Sequence, residues 1–318
     1  MKSISIKTVY RLTFFLPLFL LLNSCATNPY SKTNRVYKKQ TKAFAKELQI
    51  SPEEEIAKNP NIKYGDYWVG TTNFNLRRPN YVILHHTAQD SVEQTLNTFV
   101  TPERQVSAHY VIGHNGEVYH MLNDYYRAWH GGVGSWGTTT DLNSASIGIE
   151  LDNDGFEEFS DAQIESLIEV LKMLREKYKI PAQNVIGHSD IAPSRKVDPS
   201  VFFPWEKLAE EGFGIWYNEE VVDNLQLESE FYNYDKQLLI MEKHFPGRKL
   251  PFLDRLLFPN IIPSDFNYVD ALKIIGYDTS TLSSTIQAFE LHFIQKDVNG
   301  ILNDYDLKVL YDIYRKSF

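Results

Sequence analysis

Cysteine is almost absent from this sequence. Cys25 is the only one in 318 residues, so no intrachain disulfide can form. An excess of basic charge is also absent. Lys and Arg number 32 against 41 Asp and Glu, a net charge of -9, and a general nucleic-acid binder would instead show a basic face. No apolar run is long enough to span a bilayer as a helix: residues 12–22 are the most apolar stretch, short of the about 20 residues required. The Gly-rich stretch 127–134 has no lysine and no helix-start context, which argues against a phosphate loop. Its glycines suit close backbone approach beside a cleft. What is present is an ordinary globular composition, 43% hydrophobic and 23% charged, with enough length for two domains.

Lys2, Lys7 and Arg11 precede the apolar stretch, the layout of a secretory signal. Leu22-Asn23-Ser24-Cys25 resembles the lipobox of bacterial lipoproteins. That resemblance implies a signal peptide over 1–24, cleavage before Cys25, and acylation of its sulfur and new amino terminus. Ala26 rather than Asp follows, which by the enterobacterial sorting pattern implies a lipid-anchored envelope protein on the outer membrane, facing the periplasm. Residues 25–65 are polar and rich in Lys and Glu; they read as a tether with one short helical piece near 41–48.

The chemistry-bearing stretch is 187–199, GHSDIAPSRKVDP. It follows the apolar run Asn184-Val185-Ile186, so its polar groups sit on a loop leaving a strand end, where a rigid scaffold presents them. His188 and Asp198 are a nitrogen and an oxygen ligand of the kind zinc accepts. Lys196 and Asp198, two apart, leave the same side of an extended backbone. Asp190 and Arg195 are placed to form an ion pair that orders the loop. Upstream, residues 81–86 (YVILHH) read as a strand with Tyr81, Ile83 and His85 on one face and His86 on the other. Asn115-Gly116 predicts a hairpin. Residues 146–151 (SIGIEL) form another strand, with Gly148 and Glu150 opposite Ile147, Ile149 and Leu151. A carboxylate in so apolar a strand is costly unless it is paired or near a metal. A capping box at 160–163 starts a helix ending near Tyr178, with Ile164, Leu167, Ile168, Leu171 and Leu174 on its core stripe. The order of elements predicts an α/β fold with a mixed central sheet flanked by helices.

Five blocks in order carry a family resemblance: YVILHHTA (81–88), VSAHYVI (106–112), RAWHG (127–131), NSASIGIEL (143–151) and GHSDIAPSRKVDP (187–199). Together they closely resemble the type 2 N-acetylmuramoyl-L-alanine amidases, zinc enzymes related to phage T7 lysozyme and peptidoglycan recognition proteins. The resemblance implies that His85, His188 and Asp198 bind one zinc ion per chain, that Glu150 is the catalytic acid, and that Lys196 is the catalytic lysine. His109, His130, Trp129 and Tyr110 lie in matching blocks and are expected to support the ligands or line the cleft. The amidase domain is assigned to 66–216, followed by an acidic, aromatic connector (217–265) that could pack against it. Residues 266–318 resemble the small three-helix peptidoglycan-binding-like domain of such enzymes, although Asp304-Tyr305-Asp306 stands where a Thr usually follows the Asp.

The expectation is therefore a monomeric, lipid-anchored zinc amidase that takes peptidoglycan or muropeptides and no nucleic acid. It would cleave the amide between the lactyl group of MurNAc and L-Ala. Two other functions share these features: a non-catalytic peptidoglycan-binding lipoprotein, and a zinc peptidase cutting within the stem peptide. A metal assay with amine release from murein separates the first from the amidase, and product analysis separates the second.

Overall fold

The computed structural model describes residues 28–50, 76–227 and 260–317. The signal segment 1–24, Cys25 and most of the connector lie outside the described residues. The chain divides into two units, Met1–Thr72 and Asn73–Phe318.

In the first unit, helix α1 spans Ser31–Leu48, and none of its residues is buried. It starts ten residues before the helical piece read from the sequence. No Gly or Pro interrupts 31–48, and Lys, Gln, Ala, Glu and Leu all tolerate a helix well. No helix among the described residues is long and apolar enough to cross a membrane.

The second unit is built on β1 (Tyr81–His86), α2 (Val92–Val100), β2 (Tyr110–Ile112), β3 (Val118–His120), α3 (Leu142–Ala145), β4 (Ser146–Leu151), α4 (Asp161–Tyr178), β5 (Val185–Gly187) and α5 (His188–Ile191). The five strands form one sheet in the order β3-β2-β4-β1-β5. All neighbours are parallel except the β2–β3 hairpin, so the sheet is mixed. Val82, Leu84, Ile147, Ile149 and Leu151 share one face and pack on Ile164, Leu167, Leu171 and Leu174 of α4. Ile83 and Ile186 point the other way, against Leu142 and Ile191. In the proposed capping box only half forms. Ser160 accepts from the Gln163 N–H, but the Gln163 side chain is buried and donates to the Ile112 and Asp152 carbonyls, tying α4 to the ends of β2 and β4.

Beyond the sheet come α6 (Trp205–Glu210), α7 (Glu219–Asn224), a short parallel pair of β6 (Gln226–Leu227) and β7 (Ile261–Ile262), and three helices, α8 (Tyr268–Ile275), α9 (Leu282–Phe289) and α10 (Asp304–Arg315). A π-helical turn, Glu290–Ile294, continues α9. The small C-terminal three-helix element expected from the sequence is present. The described ends of the connector pack with it rather than with the sheet. Val222 joins Leu272, Phe289 and Leu310 in one apolar cluster, and the Asn218 N–H donates to Asp312.

A buried carboxylate pins the hairpin edge to α4. Asp124 accepts from Tyr110 Oη at 2.8 Å, His120 Nε2 at 3.1 Å, Lys177 Nζ at 2.9 Å and Tyr178 Oη at 2.7 Å. Burial alone would raise its pKa, but these hydrogen bonds outweigh it and hold the carboxyl well below the ordinary carboxylate range. Asp124→Ala is expected to destabilise the protein by roughly 3 kcal/mol, since several bonds to one buried anion are lost together. Urea unfolding checks this, and an unchanged midpoint would contradict it.

Candidate metal centre

Parallel pairing sets the site. Register places His85 of β1 beside Glu150 of β4, and Ile83 beside Gly148. On the other side of β1, Leu84 pairs with Gly187, the last residue of β5. His85, Glu150 and His188 therefore emerge together at the carboxyl ends of three parallel strands, where open α/β sheets collect ligands. Asp198 comes back from the following loop, and the Ser189 N–H donates to its carbonyl at 2.8 Å. The ligand atoms of His85, His188 and Asp198, all buried residues, lie within 4.8 Å of one another.

The hydrogen bonds around these atoms assign the protons. Ser146 Oγ donates to the Leu142 carbonyl at 2.5 Å, so it accepts from His130 Nε2 at 3.2 Å. Burial, reinforced by His85, His109 and His188, pushes the His130 pKa well below its ordinary value. That ring is neutral, and its Nδ1 accepts from His85 Nε2 at 3.1 Å. Burial and the neighbouring His188 likewise lower His85 to about 4, so His85 Nδ1 carries no proton. The Gly131 carbonyl, which can only accept, lies 3.0 Å from His188 Nε2. That places a proton on His188 Nε2, so in the neutral ring its Nδ1 is the free ligand atom. The two bare nitrogens lie 2.8 Å apart, and Asp198 Oδ2 lies 3.1 and 3.0 Å from them. With both rings neutral, three lone-pair donors converge on one point. Two imidazoles and a carboxylate are a zinc-type donor set, and three protein ligands leave the open position of a catalytic zinc. The residues present fit that ion.

Glu150 is held ready to exchange a proton. Burial raises its pKa well above the ordinary carboxylate value, the Asp198 charge adds to this, and Lys196 opposes it. Val197 is 65% exposed between two inward neighbours. Lys196 is half-buried and Asp198 buried on either side of it, and the Lys196 charge reaches Glu150.

The surrounding residues divide clearly. His130 lies over Gly148, where any Cβ would overlap its ring. His109 accepts from the Gly148 N–H at 3.1 Å and donates to the Tyr126 carbonyl at 3.0 Å, which ties β2 to β4. Trp129 is 51% exposed beside this layer. Tyr110 is a correction: it pairs with Ile149, on the face opposite Glu150, and gives its hydroxyl to Asp124, so it is not a cleft residue. The expected Asp190–Arg195 ion pair is also absent. Arg195 donates to the Gly131 and Val133 carbonyls, both at 2.7 Å, while Asp190 turns inward. Sequence reading missed Asn143, whose Oδ1 accepts from the His130 and Gly131 N–H groups, and Ser146. Their partners are set by a loop crossing that no local pattern announces. His86, on the far face, accepts from the Ser200 N–H at 3.2 Å.

Metal-free protein is expected to lose stability as the pH falls from about 6.5 to about 4. The unfolded chain takes up a proton at position 85 below its ordinary value of 6.5, and the folded chain does so only below about 4. The unfolded state therefore holds more protons across that window, worth about 3 kcal/mol. Urea unfolding of chelator-treated protein across this range checks it, and a flat profile contradicts the assignment of a buried neutral imidazole.

Comparison with known proteins agrees with this geometry. Residues 75–201 match the family described as N-acetylmuramoyl-L-alanine amidase. The amidase AmiD of Escherichia coli is 36% identical over 162 residues, 46% of this chain and 58% of that protein. The 1,6-anhydro-N-acetylmuramyl-L-alanine amidase AmpD of Haemophilus influenzae is 40% identical over 106 residues, 33% of this chain and 58% of that one. The chain thus spans under two thirds of the length of these curated relatives. The crystal structure of AmpDh3 from Pseudomonas aeruginosa superposes with a TM-score of 0.58 at 27% identity, covering 80% of this chain and 98% of that one. E. coli AmiD, in complex with the substrate anhydro-N-acetylmuramic acid-L-Ala-D-gamma-Glu-L-Lys, gives a TM-score of 0.58 at 27% identity, covering 80% and 97%. Residues 75–201, which carry His85, Glu150, His188 and Asp198, thus match the N-acetylmuramoyl-L-alanine amidase family.

Proposed function

We propose that this protein is a zinc-dependent N-acetylmuramoyl-L-alanine amidase. It hydrolyses the amide joining the lactyl group of MurNAc to L-Ala in peptidoglycan or its fragments. The observation that carries the reading is the pairing of a convergent, buried His85–His188–Asp198 triad with a Glu150 carboxyl of raised pKa on the neighbouring strand. The names of the relatives and the muropeptide in the AmiD complex support the substrate class.

A zinc ion held by these three atoms supplies Lewis acidity and lowers the pKa of water to about 7. The chain's own residues do the rest. Glu150 takes the proton from the attacking water and holds it on its carboxyl, which the raised pKa permits. It then delivers that proton to the departing nitrogen of L-Ala as the C–N bond breaks. The Lys196 ammonium stabilises the negative charge that develops on the lactyl carbonyl oxygen. The half-exposed Trp129 offers an apolar wall beside the site. The products are a free lactyl carboxylic acid and a peptide beginning with a free L-Ala amine.

Lys196→Ala is expected to lower kcat by about a hundredfold or more, the usual loss for one oxyanion donor, and Glu150→Ala by at least as much. Both are measured on purified muropeptides with the products identified by mass spectrometry. Wild-type turnover by either variant removes that residue from the mechanism, and cleavage within the stem peptide overturns the assigned bond.

We also propose lipid attachment at Cys25, resting on the sequence alone. Labelled palmitate is expected to enter the expressed full-length protein and to be lost in Cys25→Ala. Equal labelling of the variant would reject the anchor.

A further inference from the structure

The third residue of the turn that carries His188 is Asp190, and it is fully buried. Its Oδ2 accepts from the Gly187 N–H at 2.7 Å, closing the turn where β5 ends and α5 begins. The carboxylate has two further partners, and neither belongs to the sheet domain. Tyr277 donates its hydroxyl to Oδ1 at 2.7 Å, and His292 Nδ1 lies 2.7 Å from Oδ2. Both reach in from the C-terminal helices, one just after α8 and the other in the π-helical turn after α9. Both are themselves buried, at 3% and 4% exposure.

These contacts are shaped for one another. The His292 ring stacks on Trp205, with centroids 3.8 Å apart and planes 15° apart. Its Nε2 has no partner among the described residues, so Asp190 is the polar group this ring serves. Gly276, directly before Tyr277, has φ +137° and no room for a side chain because the Trp136 indole fills that space. The Gly276 carbonyl accepts from the Gly137 N–H at 2.7 Å. A buried carboxylate stripped of a donor carries an uncompensated charge, which costs far more than an ordinary surface bond. It would turn outward or draw in water, and the turn it closes would move with it. His188 begins that turn, two residues away.

We infer that the C-terminal helices form part of the metal site: Tyr277 and His292 are positioning residues that fix, through Asp190, the turn presenting His188 Nδ1. The sheet domain supplies every ligand, and the helical unit sets the angle of one of them. The inference rests on the reading of His85, His188 and Asp198 as zinc ligands.

The test uses the full chain with Tyr277→Phe, His292→Leu and His292→Asn. Zinc affinity is measured by chelator competition, Co²⁺ substitution is followed by its visible absorption, and melting temperature and kcat and KM on muropeptides are recorded alongside. Tyr277→Phe and His292→Leu are expected to weaken zinc binding about 10- to 100-fold, as loss of a partner behind a ligand typically does. The Co²⁺ bands should shift and kcat should fall while KM stays constant. His292→Asn keeps a donor near the Nδ1 position and is expected to retain wild-type affinity and spectrum. Should His292→Leu fail to fold, Tyr277→Phe, which removes a single oxygen atom, decides the matter. Folded variants with wild-type zinc affinity and an unchanged Co²⁺ spectrum overturn the inference. Absence of zinc binding by the wild-type chain would instead overturn the proposed function.

Discussion

Convergence of two imidazole nitrogens and a carboxylate oxygen on one buried point is the constraint on which the rest of this structure depends. His85 Nδ1, His188 Nδ1 and Asp198 Oδ2 crowd within about 3 Å of one another, and the proton on each imidazole is held on its far side by His130 or by the Gly131 carbonyl. In a buried place this arrangement is unfavourable until a cation enters. The protein therefore needs a scaffold stiff enough to hold the three groups together, and the parallel core of the sheet provides it.

That stiffness has identifiable parts. The β1–β4 register sets the spacing between the proposed metal ligand and the proposed proton carrier, because His85 and Glu150 are paired residues on adjacent strands. Gly148, one pleat below Glu150, leaves the volume that His130 occupies. Asn143 and Arg195 fix the 130–133 backbone from opposite sides, by accepting two N–H groups and by donating to two carbonyls. The Gly131 carbonyl that orients His188 is thus itself held. On the other face of the sheet, α4 supplies apolar packing and no chemistry.

The C-terminal helices belong to the same reasoning. An appendage whose role is confined to contacting the wall has no need to send a tyrosine and a histidine into the neighbouring domain to meet a buried carboxylate. Here they do so two residues from His188, a proposed ligand.

Much of this was legible in the sequence. Period-2 alternation put His85 and Glu150 each on a definable face, and the Pro- and charge-rich segment after Ile186 marked the end of a strand, although His188–Ile191 forms a helical turn there rather than the expected loop. These are local properties of a chain that can only be helical, extended or turned. Tyr110 was misplaced because which face of β2 looks at the site depends on its pairing with β4. Asp190 was assigned to Arg195 because the two are near in sequence, whereas its actual partners lie 87 and 102 residues away. The sequence by itself determined which groups can donate lone pairs and protons and where the chain must turn. Tertiary structure alone decided which of them meet, because register, burial and long-range hydrogen bonds depend on how distant segments pack.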